Sequence, residues 1–172
     1  MPRAHAGGHG AGAVTVELRT QPSGSGRLCR DILATLPHWF GITESVEHYV
    51  DVAEREETVV ASIGGRDVGF ATLVHHSPHA AEIYVMGVVP EHHRAGIGRM
   101  LLECVETDLA RAGVEFLQVK TLSPRRPDEG YERTRAFYFA HGFVVFEELP
   151  ELWDSSNPAL VLVKKVAAPP AT

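Results

Sequence analysis

An α/β (α+β) domain on a central mixed sheet is the fold class this sequence predicts, and three observations predict it. Strand-like and helix-like segments alternate along the chain. One pair of strands is joined by a tight glycine turn, which makes it antiparallel. Other strands are separated by helical runs, and a strand–helix–strand unit is parallel. Both kinds of connection together require mixed strand directions, with about seven strands and about four helices. The 172 residues suit one domain with tails. Hydrophobic residues at 44% and charged residues at 22% are ordinary globular usage. A chain of this length buries roughly two-thirds of its unfolded surface, so its core needs neither disulfides nor a metal.

The elements follow in order. VTVELRT (14–20) alternates apolar and polar residues and reads as a strand, closed by the turn PSGSG (22–26). Residues 27–36 carry Leu28, Ile32, Leu33 and Leu36 near helical spacing, and Pro37 ends that run. Thr43 reads as the N-cap of a second helix through Glu54, striped by Val46, Tyr49, Val50 and Ala53. TVVASI (58–63) and VGFATLV (68–74) flank Gly64-Gly65-Arg66-Asp67, the hairpin signal. EIYVMGVV (82–89) is almost continuously apolar, as a central strand should be.

Residues 98–112 are helical, with Leu101, Leu102, Val105 and Leu109 on one face and Gly113 as the stop. VEFLQVKTL (114–122) is a strand, and SPRRPDEG (123–130) is a turn-rich connection. A helix over 131–141 meets Gly142 at its C-terminal cap position. FVVFEE (143–148) and LVLVKKV (160–166) are the last strands, joined by a loop with Trp153 and Pro158. Residues 1–13 are Gly, Ala and His without periodicity and read as a disordered leader, with His5 and His9 solvated. Residues 167–172 read as a frayed tail, which leaves 14–166 as the domain.

Composition narrows the function. Lys and Arg number 16 against 22 Asp and Glu, a formal charge of -6. That balance disfavours a sequence-independent nucleic-acid binder, which carries a basic face. It suits an amine-bearing substrate slightly better. Cys29 and Cys104 cannot build a disulfide framework or a four-cysteine zinc site, and read as reduced thiols. No apolar run approaches about 18 residues, and the N-terminus has no signal-peptide core. A cytoplasmic protein without a membrane partner is the expectation. His75, His76 and His79 cluster near Pro78, where a turn-exposed group competes with a metal site that no carboxylate or Cys completes. No metal is expected.

The chemistry concentrates in EIYVMGVVPEHHRAGIGRMLLECVETDLA (82–110). A buried strand ends at Pro90, a polar loop follows, and Gly96 and Gly98 open an amphipathic helix. Helix N-terminal N–H groups lack partners and stand at the positive end of the helix dipole, and glycines let a phosphate come close. The loop His93–Gly98 therefore suits a phosphate-like anion, with Arg94 and Arg99 adding charge. A Walker A loop needs Gly-Lys-Ser/Thr, which is absent. A dinucleotide fingerprint needs a small residue where Leu101 stands.

The pattern Val88-Val89-Pro90 followed by His93-Arg94-Ala95-Gly96-Ile97-Gly98 resembles the acetyl-coenzyme A loop of the GNAT N-acetyltransferase superfamily. His93 stands where that family has Arg or Gln, which removes one pyrophosphate contact. A second stretch agrees: Ala136-Phe137-Tyr138-Phe139-Ala140-His141-Gly142-Phe143 is similar to the family's last helix. The order of elements from 14 to 166 fits as well. The resemblance implies a twisted, mostly antiparallel mixed sheet, with acetyl-coenzyme A held by residues His93 to Arg99. It implies that N–H groups near Met86 and Val88 polarise the thioester. It also implies that Tyr138 protonates the departing thiolate, although a core aromatic is the alternative for Tyr138. The family's Asn in this helix is missing, which leaves Thr134 or Tyr131 as substitutes.

Amine acetylation needs a neutral amine, so a carboxylate or water must take a proton. Glu82 stands 14 residues before Gly96. In the superfamily's histone-acetyltransferase members a glutamate at that distance is the general base. A carboxylate in an apolar cleft would have its pKa raised, the right direction for a base. A solvated strand-end glutamate and a water relay are the alternatives. Trp39 and Phe40 lie between the first two helices, a region that lines the acceptor pocket in the superfamily; plain helix packing is the other reading. The acidic segment Glu147–Asp154 with Trp153 could meet a cationic amine or shape a homodimer contact, or be solvated. The expected activity is acetyl transfer from acetyl-coenzyme A to a small-molecule amine, with an aminoglycoside-like antibiotic as one candidate. A lysine or N-terminal amine of a protein or peptide is the second candidate. A non-catalytic acyl-coenzyme A sensor is the third.

Overall fold

A computed structural model describes residues 3–5 and 15–168. Eight strands pair in the order β1-β2-β3-β4-β5-β6-β8-β7, and four helices accompany them. Seven strands have six residues or more, and the first has three. The residues gather into two compact units.

The first unit takes in residues 1–73 and 85–105. Its strands begin with β1 (Arg3–His5), which pairs antiparallel with β2 (Val16–Gln21) in the register Arg3↔Leu18. This strand falls inside the expected disordered leader. It meets what would otherwise be the bare edge of β2. The remainder of that leader, and residues 169–172 of the expected tail, lie outside the described residues. Helix α1 (Gly26–Leu33) stops before Pro37, and α2 (Thr43–Arg55) follows. Ile42, not Thr43, holds the cap position of α2, and no side chain caps it. Thr43 is one residue too late, because its backbone is already helical.

Strand β3 (Thr58–Ile63) turns through Gly64 and Gly65 into β4 (Arg66–Ser77). Both glycines have positive φ, 56° and 79°, which is what a two-residue hairpin turn needs. Val59, Val60, Ala61, Phe70 and Leu73 on these strands are buried, as are Ile32 and Leu33 of α1. Part of β5 (Ala80–Val88) and the start of α3 (Ile97–Arg111) complete this unit.

The second unit takes in residues 74–84 and 106–172. In it β6 (Phe116–Leu122) pairs parallel with β5, from Ala80↔Phe116 to Ile83↔Val119, and β5 itself continues to Val88. The parallel direction follows from the helix between the two strands. Helix α4 (Glu129–Ala140) is capped by Asp128, whose carboxylate accepts the Tyr131 N–H at 3.0 Å. Strand β8 (Asn157–Lys165) pairs antiparallel with β6 and with β7 (Val144–Asp154).

The expected loop with Trp153 and Pro158 is therefore wrong. Both residues belong to strands of a long hairpin. Asp154 accepts the Ser156 N–H and an Asn157 side-chain N–H, both at 2.8 Å. Such a turn closes the hairpin without a loop. Pro150 lacks an N–H, which β7 tolerates as the last strand of the sheet.

Candidate active site

The anion loop and the start of α3 belong to the first unit. After β5 a single 3-10 turn, Pro90–His92, leads to a loop in which Arg94 has φ 61° and Gly96 has φ 81°. Gly96 is where the left-handed backbone needs glycine. The Met100 N–H bonds to the Gly96 carbonyl at 3.0 Å, the first bond of the helix. By that geometry the N–H groups of Ile97, Gly98 and Arg99 have no carbonyl within the helix. Ile97 is buried and anchors the turn, while Arg94, Ala95 and Gly96 are exposed. Amides without a helical carbonyl, a positive helix end and no Cβ at Gly96 make a donor set that suits a phosphate group.

His93 does not offer its ring to this loop. Its Nε2 lies 2.6 Å from the Val88 carbonyl oxygen, and its ring meets Trp39 edge-on with centroids 6.1 Å apart. The loss of the family's Arg or Gln is thus matched by a structural use of the imidazole. Arg94 is exposed, and Arg99 is bonded to Glu103 one turn along α3 at 2.9 Å. Trp39 is half-buried beside His93, whereas Phe40 packs edge-on against Tyr49 of α2 at 5.8 Å. The structure brings Trp39 to the loop and commits Phe40 to helix packing.

Glu82 belongs to the second unit. It is 2% exposed, on the face of β5 that also carries Tyr84. The parallel register sets Gln118 opposite Glu82, and Lys120 follows two residues on along the same face of β6. Lys120 Nζ stands 2.7 Å from Glu82 Oε2, Gln118 Nε2 3.2 Å, and His76 Nε2 2.6 Å. The expected apolar cleft is therefore replaced by three polar partners on one oxygen. A buried carboxylate is costly unless paired and hydrogen-bonded, and these groups meet that demand. Burial and the Glu82 charge together push the Tyr84 phenol above its ordinary pKa.

One further histidine expectation changes, whereas His79 does lie exposed in the turn. His76 is not a turn residue: it lies on β4 and reaches Glu82. His79 Nδ1 pairs with Glu115 at 2.9 Å. Among the described residues, no group of three or more His, Cys, Asp or Glu side chains is placed to share a metal ion.

Tyr138 sits on α4 and is 4% exposed, with its ring edge-on to Phe137 and Phe143, each at 5.2 Å. Burial pushes its phenol well above the ordinary value, so the hydroxyl keeps its proton at neutral pH. Gly142 follows the helix, and the Phe143 N–H bonds back to the Tyr138 carbonyl at 3.1 Å, which seats Phe143 on Tyr138. Thr134 Oγ1 donates to the Gly130 carbonyl at 3.1 Å, so its hydroxyl hydrogen is already used. The Tyr131 phenol is raised by burial. Trp153 is exposed on β7, together with Val144, Val145, Phe146 and Leu152. Sequence reasoning missed His76, Gln118 and Lys120. The signal for His76 was its place six residues from Glu82, across the short turn at Pro78.

A family model described as "Acetyltransferase (GNAT) domain" matches residues 54–145, just over half of the chain. The chain belongs to the GNAT acetyltransferases, and it is an N-acetyltransferase by that membership. No curated protein matches it.

Solved structures agree on the fold. A GNAT-family acetyltransferase from Elizabethkingia anophelis with acetyl-CoA bound is 14% identical, with a TM-score of 0.62, over 96% of this chain and 97% of that one. The ribosomal-protein-S18-alanine N-acetyltransferase of Escherichia coli is 17% identical, with a TM-score of 0.67, over 88% and 96%. An aminoglycoside 6'-acetyltransferase type Ii is 21% identical, with a TM-score of 0.66, over 84% and 92%. No helix among the described residues is long and apolar enough to cross a membrane.

Proposed function

We propose that this chain transfers an acetyl group from acetyl-coenzyme A to a primary amine of a small molecule, directly and without an acyl-enzyme. One observation carries the reading: the first turn of α3, where Gly96 has φ 81° and the first helix bond is made by Met100, so three helix N–H groups have no helical carbonyl. A pyrophosphate is the ligand chemistry such a turn suits. The acetyl-CoA-bound neighbour adds support. Residues His93 to Arg99 would hold the coenzyme, chiefly through their backbone, with Arg94 supplying charge. Thr134 is a lesser contact, through the free lone pairs of its hydroxyl.

The chain's own groups then divide the work. Backbone N–H groups at Met86 and Val88 hold the carbonyl oxygen as charge builds on it. The amine nitrogen bonds to the carbonyl carbon, and the carbon–sulfur bond breaks with its electron pair on sulfur. The Glu82 cluster takes the amine's proton, and Tyr138 gives its phenolic proton to the sulfur and regains one from solvent. Trp39 and Trp153 are acceptor-binding residues in this reading, and the acidic residues of β7 favour a cationic amine. An aminoglycoside-like acceptor is favoured by the acidic balance of the chain and by the aminoglycoside-acetylating neighbour. A protein or peptide amine is the second reading, favoured by the Glu82 spacing and by the neighbour that acetylates a ribosomal protein's alanine.

Release of free thiol from acetyl-coenzyme A tests this across aminoglycosides, polyamines, free amino acids and peptides. Turnover on the small amines is the expected result. Turnover on peptides alone moves the acceptor to the second reading. Thermal protection by acetyl-coenzyme A with no turnover on any amine means a sensor instead.

A further inference from the structure

We infer that His76 is the proton acceptor of the acetyl transfer, and that Glu82 is the positioning residue that orients it. This rests on the proposed activity. The Glu82 side chain is 3% exposed, and its Oε2 is already met by Lys120, Gln118 and His76. An incoming amine has no open approach to that oxygen. The His76 side chain is 41% exposed, so it is the member of the cluster that solvent and substrate can reach.

Hydrogen placement gives the direction. An ionised carboxylate only accepts hydrogen bonds, so at 2.6 Å the hydrogen between the two groups belongs to His76 Nε2. That tautomer leaves Nδ1 with its lone pair, the ring atom able to take a proton. The amine arrives as an ammonium, Nδ1 takes one N–H proton, the neutral nitrogen then bonds to the acetyl carbon, and the second N–H proton leaves to water as the amide forms. The resulting imidazolium is stabilised by the Glu82 carboxylate. The ring returns the proton to solvent after product leaves.

Lys120 fits this division of labour. Its ammonium, 2.7 Å from Oε2, holds the carboxylate in place. An imidazole suits the role, because one ring nitrogen donates to the carboxylate while the other keeps a lone pair. The groups that face His76 are Glu82 of β5 and, through it, Gln118 and Lys120 of β6, with Tyr84 next along the Glu82 face.

The test uses the full chain, acetyl-coenzyme A and an amine that the wild type acetylates, with rates taken from about pH 6 to 9.5. Without a base, only amine already neutral in solution can react. The His76→Gln variant should then be slower by about 100-fold near neutrality. Its rate should climb steeply with pH where the wild type levels off. Protection from thermal unfolding by acetyl-coenzyme A should stay unchanged, which separates this loss from lost binding or folding. Added imidazole should restore part of the rate to His76→Ala. The Glu82→Gln variant should be slowed less than His76→Gln and keep the wild-type shape of profile.

A His76→Gln variant within about twofold of wild type at every pH, beside an inactive Glu82→Gln variant, overturns the assignment and returns the base to Glu82. A wild type that acetylates no amine overturns the proposed activity and this assignment with it. The wild-type rate is measured first, so the two failures are distinguishable.

Discussion

Tyr138 and Glu82 are almost equally buried, at 4% and 2% exposure, yet their surroundings are opposite. Tyr138 lies among aromatic rings, and burial alone sets its proton affinity. Glu82 lies among a lysine, a histidine and a glutamine that all address one oxygen. Burial by itself therefore does not decide what a titratable group can do. An apolar pocket favours the neutral phenol. A polar pocket surrounds the carboxylate with hydrogen-bond donors and leaves little of it open. A buried group is read from its partners, and depth only sets how strongly those partners count.

The largest expected effect tests the apolar side of that contrast. Tyr138→Phe keeps the ring and its contacts with Phe137 and Phe143 and deletes only the hydroxyl. If the phenol delivers the proton, steady-state turnover falls about 100-fold, or about 2.7 kcal/mol of barrier. Acetyl-coenzyme A affinity and the unfolding midpoint should hardly move. Wild-type turnover would reduce Tyr138 to a core aromatic.

Glu82→Ala tests the polar side. It removes the one acceptor that satisfies His76, Gln118 and Lys120 together. Breaking a fully buried pair costs about 3–5 kcal/mol. Here Lys120 and His76 are partly exposed and regain water, so the expected loss is about 2 kcal/mol. In a chain of this size that lowers the thermal midpoint by about 4–8 °C. Glu82→Gln should lose less, because its amide oxygen still accepts from Lys120. An unchanged midpoint for Glu82→Ala would mean that the three partners add no net stability and that the polar surroundings of Glu82 do not set it apart energetically from Tyr138.

The two sites were also unequally legible. The loop could be read because its signal is local: Pro90, Gly96, Gly98 and the following apolar stripe lie within about 20 residues and dictate backbone shape directly. Tyr138 was legible for the same reason, through its spacing to Gly142. The Glu82 partners were not. Lys120 and Gln118 meet Glu82 only through the β5–β6 register, and register across a helical crossover is not written in either strand. His76 was missed because β4 runs on to Ser77, past the apolar run that marked the strand. The Trp153 segment failed in the same way, since polar residues on the outermost strand look like a loop. Phe40 was visible as an aromatic, but which neighbour it covers depends on tertiary packing.

The smallest effect concerns a third buried group, Cys29, which has the apolar surroundings of Tyr138 and no role in the chemistry. The thiol is fully covered on α1, and burial pushes it up from 9.0 to about 12. In the unfolded chain that thiol ionises near pH 9, whereas in the folded chain it stays protonated toward pH 12. Above pH 9 the folded state thus binds the extra proton, and stability falls as pH rises. Its contribution is intact below pH 9 and is lost progressively across the window up to about 12. Tyr138 and Tyr131, also raised, act in the same direction but only from their ordinary value of 10.0 upward. The interval between pH 9 and 10 therefore isolates Cys29. Cys29→Ala should flatten the decline of unfolding free energy there, measured by denaturant titration, and leave the tyrosine-driven decline above it. An unaltered slope between pH 9 and 10 would show that the thiol ionises in the folded protein. Depth of burial alone would then not hold the thiol above its ordinary value.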